Sequence, residues 1–234
     1  MTVRLAALEY DAVRPRELAS FWGSLLGRSV AGDGVTLPAS GSPGFALRFV
    51  ATERPKSARN MMHFDLTSDS PAAQERSVAL ALSLGGRHFD VGQRGDEGHV
   101  VLADPEDNEF CVIAPGNRFL AGTGRIGALA GEGSREVGYF WSEMLDWPLV
   151  WDQDEETAIQ SPSGGTKITW GGPPPLPKHG RNRLRWVLEC DSPLEQESER
   201  IKDLGAVLVE AGPGRVELAD PGDHEFVLVP DHPA

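Results

Sequence analysis

The sequence predicts an α+β protein of two tandem domains, each assembled from two units of the plan strand, helix, three strands. Three observations carry that expectation. The eleven residues LADPEDNEFCV, Leu102 to Val112, return as LADPGDHEFVL, Leu218 to Leu228. FWGSLLGR, from Phe21, returns as FWSEMLDW, from Phe140, and PKSARN, Pro55 to Asn60, returns as PKHGRN, Pro177 to Asn182. The landmarks keep their order, so the 234 residues read as a duplication, 1–115 and 116–234, joined in the Gly-rich stretch Ala114 to Gly124.

Each half divides again. RLAALEYDA is a short strand, and apolar residues then recur at Leu18, Phe21, Trp22, Leu25 and Leu26, the stripe of an amphipathic helix, with Pro15 suited to its first turn and Gly27 past its end. Three short strands are expected next, near Arg28 to Ala31, Gly34 to Pro38 and Phe45 to Val50. Alternation puts Phe45, Leu47 and Phe49 on one face of the last and Arg48 on the other. MMHFDLT opens the second unit. Its helix starts at Asp69-Ser70-Pro71 and stops at Gly85-Gly86, and its last strands end in HVVLADPEDNEFCVI. The third unit repeats the helical stripe at Val137, Phe140, Trp141, Met144 and Leu145, and the fourth at Leu194, Ile201 and Leu204.

Composition narrows the function classes. A net charge of −13 without a Lys/Arg cluster argues against a nucleic-acid partner. With 40% hydrophobic residues and no apolar run of membrane length, a soluble protein without a membrane partner is expected. The first residues, MTVRLAALEYD, lack a secretory signal pattern, so the expected location is the cytoplasm. Cys111 and Cys190 occupy non-equivalent places in the repeat and read as reduced structural thiols.

The FWGSLLG helix ending, the PK...RN loop leading into HFDL, and LADPEDNEF closing the second unit resemble the vicinal oxygen chelate superfamily, in particular its glyoxalase-like branch common in actinobacteria. The resemblance covers almost the whole chain, twice. It implies two glyoxalase-like domains, each with two βαβββ units forming a curved, half-open sheet around a cup. Members use that cup for metal-assisted isomerisation, dioxygenation or epoxide opening, or to sequester drugs such as bleomycin, so the fold does not select a function.

In metal-using members, the resemblance implies a ligand on the first strand of each unit and a Glu on a closing strand. Here the second unit offers His63 and Glu109, while the first-strand position falls on Ala7, with Glu9 one pleat repeat away. The later units place Ile126 and Arg185 at the first-strand positions and Glu225 at the closing one. Pairing the units within or across the halves leaves at most two protein ligands. His63 with Glu109 is therefore either a metal site completed by water or substrate, or a hydrogen-bonded polar pair left from an ancestral site. A divalent metal is possible, but no cofactor is the leading expectation. Arg185 with Glu225 reads as a forked ion pair, as scaffold or as a hook for an anionic ligand.

Trp141 belongs to the helix stripe. Trp147, Trp151, Trp170 and Trp186 lie in or beside strands, either as packing or as walls of a small-molecule pocket. GGPPPLPKHG reads as a crossing loop and SPSGG as a hairpin turn, while His88, His99, His179, His224 and His232 show no metal-like spacing, most of them reading as surface residues. The leading expectation is a small-molecule-binding protein with degenerate metal sites, its ligand a hydrophobic metabolite or an antibiotic. It is read as a monomer with an internal pseudo-dimer, or as a homodimer. The alternatives are a metal-dependent lyase or isomerase using His63 and Glu109, and a scaffold with no ligand.

Overall fold

The computed structural model describes residues 3–41, 43–93, 98–172, 174 and 176–231. The first unit runs β1 (Val3–Ala12), α1 (Pro15–Leu26), β2 (Thr36–Leu37) and β3 (Ala46–Ala51). The second runs β4 (Met62–Leu66), α2 (Pro71–Ser83), β5 (Arg87–His88), β6 (His99–Ala103) and β7 (Glu109–Ile113). The third comprises β8 (Ile126–Gly131), α3 (Arg135–Leu145), β9 (Leu149–Gln153), β10 (Glu156–Ser161) and β11 (Gly164–Trp170). The fourth comprises β12 (Leu184–Cys190), α4 (Leu194–Asp203), β13 (Val207–Gly212), β14 (Arg215–Ala219) and β15 (Glu225–Pro230).

Local chemistry explains the element ends. Pro15 opens α1, and Gly27, at φ 66°, closes it in the left-handed conformation that costs glycine least. The free N–H groups at the entry to α1 find their acceptor in another unit: Glu106 accepts from Val13 N at 2.9 Å and Arg14 N at 2.7 Å. Ser70 caps α2 by accepting from Ala73 N at 3.2 Å. The strand expected over Arg28–Ala31 does not form. The Arg28 guanidinium turns onto the carbonyls of Leu37, Pro38 and Phe45, holding this stretch as a loop.

Two sheets result, and each combines units from opposite halves of the sequence. The seven-stranded sheet has the order β13-β14-β15-β12-β1-β3-β2, joining the fourth unit to the first. The eight-stranded sheet, β5-β6-β7-β4-β8-β11-β10-β9, joins the second to the third. The seams are antiparallel: Glu9 faces Arg185 across β1 and β12, and His63 faces Ala130 across β4 and β8. Any concave surface formed by a sheet therefore has walls from both halves.

The halves are nevertheless not dismantled. Within each, the two units share a core on their helix-bearing faces. Trp22 of α1 lies 5.1 Å from Phe64 and 5.0 Å from Phe110 of the second unit, edge to face. Its indole N–H donates to Asp104 at 3.1 Å. The second half repeats the device: Trp141 packs on Trp186 and Phe226 and donates to Asp220 at 2.7 Å. Asp104 and Asp220 thus each anchor a buried tryptophan from the neighbouring unit. His224 corrects the surface expectation for that residue; it is fully buried with Nδ1 3.1 Å from the Asp220 carboxylate. His232 lies outside the described residues.

Candidate functional site

The repeated glutamates are engaged close to home. Glu109, at the start of β7, accepts from Lys56 Nζ at 2.6 Å and from Asn60 N at 3.4 Å. Glu225, at the start of β15, meets Lys178 Nζ at 2.8 Å and accepts from Asn182 N at 3.2 Å. The lysine and asparagine are equivalent members of the two PK...RN segments. Each glutamate ties down the loop that precedes the first strand of its own unit.

This overturns two expected pairings. Glu109 is spent on Lys56, and the half-buried His63 meets Asp65, at 3.5 Å, instead. Arg185 does not fork onto Glu225. It donates to Asp11 at 2.6 Å and to Asn182 O at 2.8 Å, and it lies 3.6 Å from Glu9. Glu9 is held by both terminal nitrogens of Arg215, at 2.9 and 2.8 Å. Burial pushes the Glu9 carboxyl pKa up, but the Arg215 hydrogen bonds and the charges of Arg215, Arg185 and Arg48 outweigh it, so the net shift is downward. Burial pulls the Arg185 guanidinium pKa down, but its hydrogen bond to Asp11 and the charges of Asp11, Glu9 and Glu217 outweigh it, so its net shift is upward.

Glu9, Asp11, Arg185 and Arg215 form the floor of a cavity of about 590 Å³ on the concave side of the seven-stranded sheet. One wall is the 52–61 segment from the first half, and the other is the 179–183 segment from the second. Seven lining side chains are cationic, Arg54, Lys56, Arg59, Arg181, Arg183, Arg185 and Arg215, against four acidic ones, Glu9, Asp11, Glu210 and Glu217. Arg183 fastens the walls together, donating to Asp11 O and Glu106 at 2.7 Å each and to Arg54 O at 3.2 Å. Arg54 and Arg59 form no salt bridge among the described residues. Below the wall, Arg185 Nε and Glu217 Oε1 are buried without hydrogen-bond partners.

The tryptophans expected as pocket walls lie elsewhere. Trp170 and Trp186, 2% and 1% exposed, point into the core because they sit on the strand faces opposite the cups. Trp147 packs against the core edge, and Trp151, on β9, meets Phe119 with ring centroids 6.1 Å apart. None lines the cavity. Of the expected ligand residues, Arg185 alone does. Sequence reasoning missed Arg54, Arg59, Arg181, Arg183 and Arg215. A signal was present in RNRLR, where Arg181, Arg183 and Arg185 alternate at the period that puts them on one side of an extended chain.

The glyoxalase-like domain profile matches residues 7–113 and again 129–229. The chain belongs to the glyoxalase-like family of the vicinal oxygen chelate superfamily. Among solved structures, this glyoxalase-like protein is similar to glyoxalase I from Zea mays, at 12% identity and a TM-score of 0.66, covering 98% of this chain and 92% of that one. It is also similar to a putative dioxygenase from Bacillus subtilis subsp. subtilis str. 168, at 12% identity and a TM-score of 0.61, covering 100% and 86%. No curated protein sequence matches it. At such identities the likeness carries the fold alone.

The divalent metal that the superfamily implies does not fit the inherited positions of this glyoxalase-like protein. In the seven-stranded sheet Ala7 packs with Val187 and Val227 in an apolar cluster, and Arg185 puts a cation where an ion would need a donor. In the eight-stranded sheet His63 remains, but Glu109 is neutralised by Lys56. Among the described residues no helix is long and apolar enough to cross a membrane.

Proposed function

We propose that the protein binds a small, anionic organic molecule in the cavity of the seven-stranded sheet, a small-molecule role in keeping with its glyoxalase-like fold. The observation that carries this reading is the excess of cationic side chains around that cavity in a chain whose net charge is −13. The volume lies within the roughly 300–1,000 Å³ usual for small-ligand pockets. Arg54 and Arg59, free of salt bridges among the described residues, can each offer a planar fork to a carboxylate or phosphate. The acidic minority lining the cavity suits a hydroxyl or amino group on the same ligand.

The hydrophobic-metabolite reading loses its support with its four tryptophans outside the cavity. The lyase or isomerase reading loses the pairing of His63 with Glu109 on which it was built. A thermal-shift screen separates the ligand classes. Small carboxylates and phosphate monoesters should raise the Tm, the more so at low salt, since part of the attraction is screened. Stabilisation by neutral aromatic molecules of similar size and by no anion would overturn the proposal.

A further inference from the structure

The concave side of the other sheet carries a second constellation that the anion cavity does not use. His63 and Asp65 lie two residues apart on β4 and so share a face, and Cys111 on β7 is the register partner of Asp65. One donor atom from each of His63, Asp65 and Cys111 lies within 4.8 Å of the others. Across the seam, β8 presents Ala130 opposite His63 and Ala128 opposite Asp65, so the neighbouring strand places only methyl groups beside the cluster.

We propose that His63, Asp65 and Cys111 form a zinc site. Imidazole, carboxylate and thiolate are the donors a borderline-soft divalent ion takes, and three of them leave a fourth tetrahedral position for water or a ligand oxygen. Neutral imidazole, carboxylate and thiolate carry two negative charges together, which one Zn²⁺ cancels. Zinc binding releases the thiol proton and any proton held on the imidazole, so it strengthens as pH rises. His63 alone stands at an inherited ligand position; Asp65 and Cys111 replace the glutamate that Lys56 has claimed.

The test uses the full chain, stripped with a chelator and titrated with Co²⁺. One equivalent should bind with a thiolate-to-cobalt charge-transfer band, and Zn²⁺ should displace it. Cys111→Ser, nearly isosteric, should abolish the band and weaken Zn²⁺ binding at least ~10-fold, as should His63→Ala, while thermal melts confirm that both variants fold. Failure of the wild type to bind one equivalent would overturn the proposal, as would undiminished Zn²⁺ affinity in folded Cys111→Ser. The anion screen reads a different sheet, so either result stands without the other.

Discussion

Lys56 and Lys178 account for the glutamate that both copies of the repeated motif retain. A carboxylate buried at the first residue of a strand needs a partner, and each copy supplies one from its own PK...RN loop, together with a backbone N–H. The motif is thereby a clamp on a loop. Glu109→Gln should leave the Lys56 ammonium buried and unpaired, lowering stability by about 3 kcal/mol in a urea melt. The same variant should bind Zn²⁺ as tightly as wild type; a parallel loss of zinc would return Glu109 to the role of ligand. The lysines stand in the repeat itself, so this clamp could be read from sequence once the loop was asked what it holds. The partners of Arg185 could not, because strand alternation gives the face of a side chain and not which of several acids on that face it meets.

Element by element, the helices followed their stripes and caps, since apolar spacing, Pro15, Ser70 and the glycines act locally. The extra strand expected at Arg28–Ala31 failed for a reason invisible to spacing: one guanidinium gathers three carbonyls. Close packing of α3 on β10 also rests on a single residue. A Cβ at Gly138 would come within 2.1 Å of Thr157 Oγ1 and 2.5 Å of Thr157 Cβ, so the helix sits where only glycine allows it. Gly138→Ala should therefore cost about 1–3 kcal/mol despite the better helix propensity of alanine, read as a lower denaturation midpoint. A gain in stability would mean that α3 can lift from the sheet freely.

For the molecule as a whole, the duplication was legible and the wiring was not. Two copies of a βαβββ pair look alike in sequence whether the units complete their own sheet or exchange partners, because the seams Glu9 to Arg185 and His63 to Ala130 depend on contacts between distant segments. The exchange has a functional consequence. Each half brings cations to one cavity, Arg54 and Arg59 from the first and Arg181, Arg183, Arg185 and Arg215 from the second. Calorimetric titration of the best-binding small carboxylate is the most direct test. Arg54→Gln in one half and Arg181→Gln in the other should each weaken the Kd by about tenfold, on the scale of one charge-assisted hydrogen bond at roughly 1.5–3 kcal/mol. An unchanged Kd in both folded variants would contradict an anion site built from the two halves.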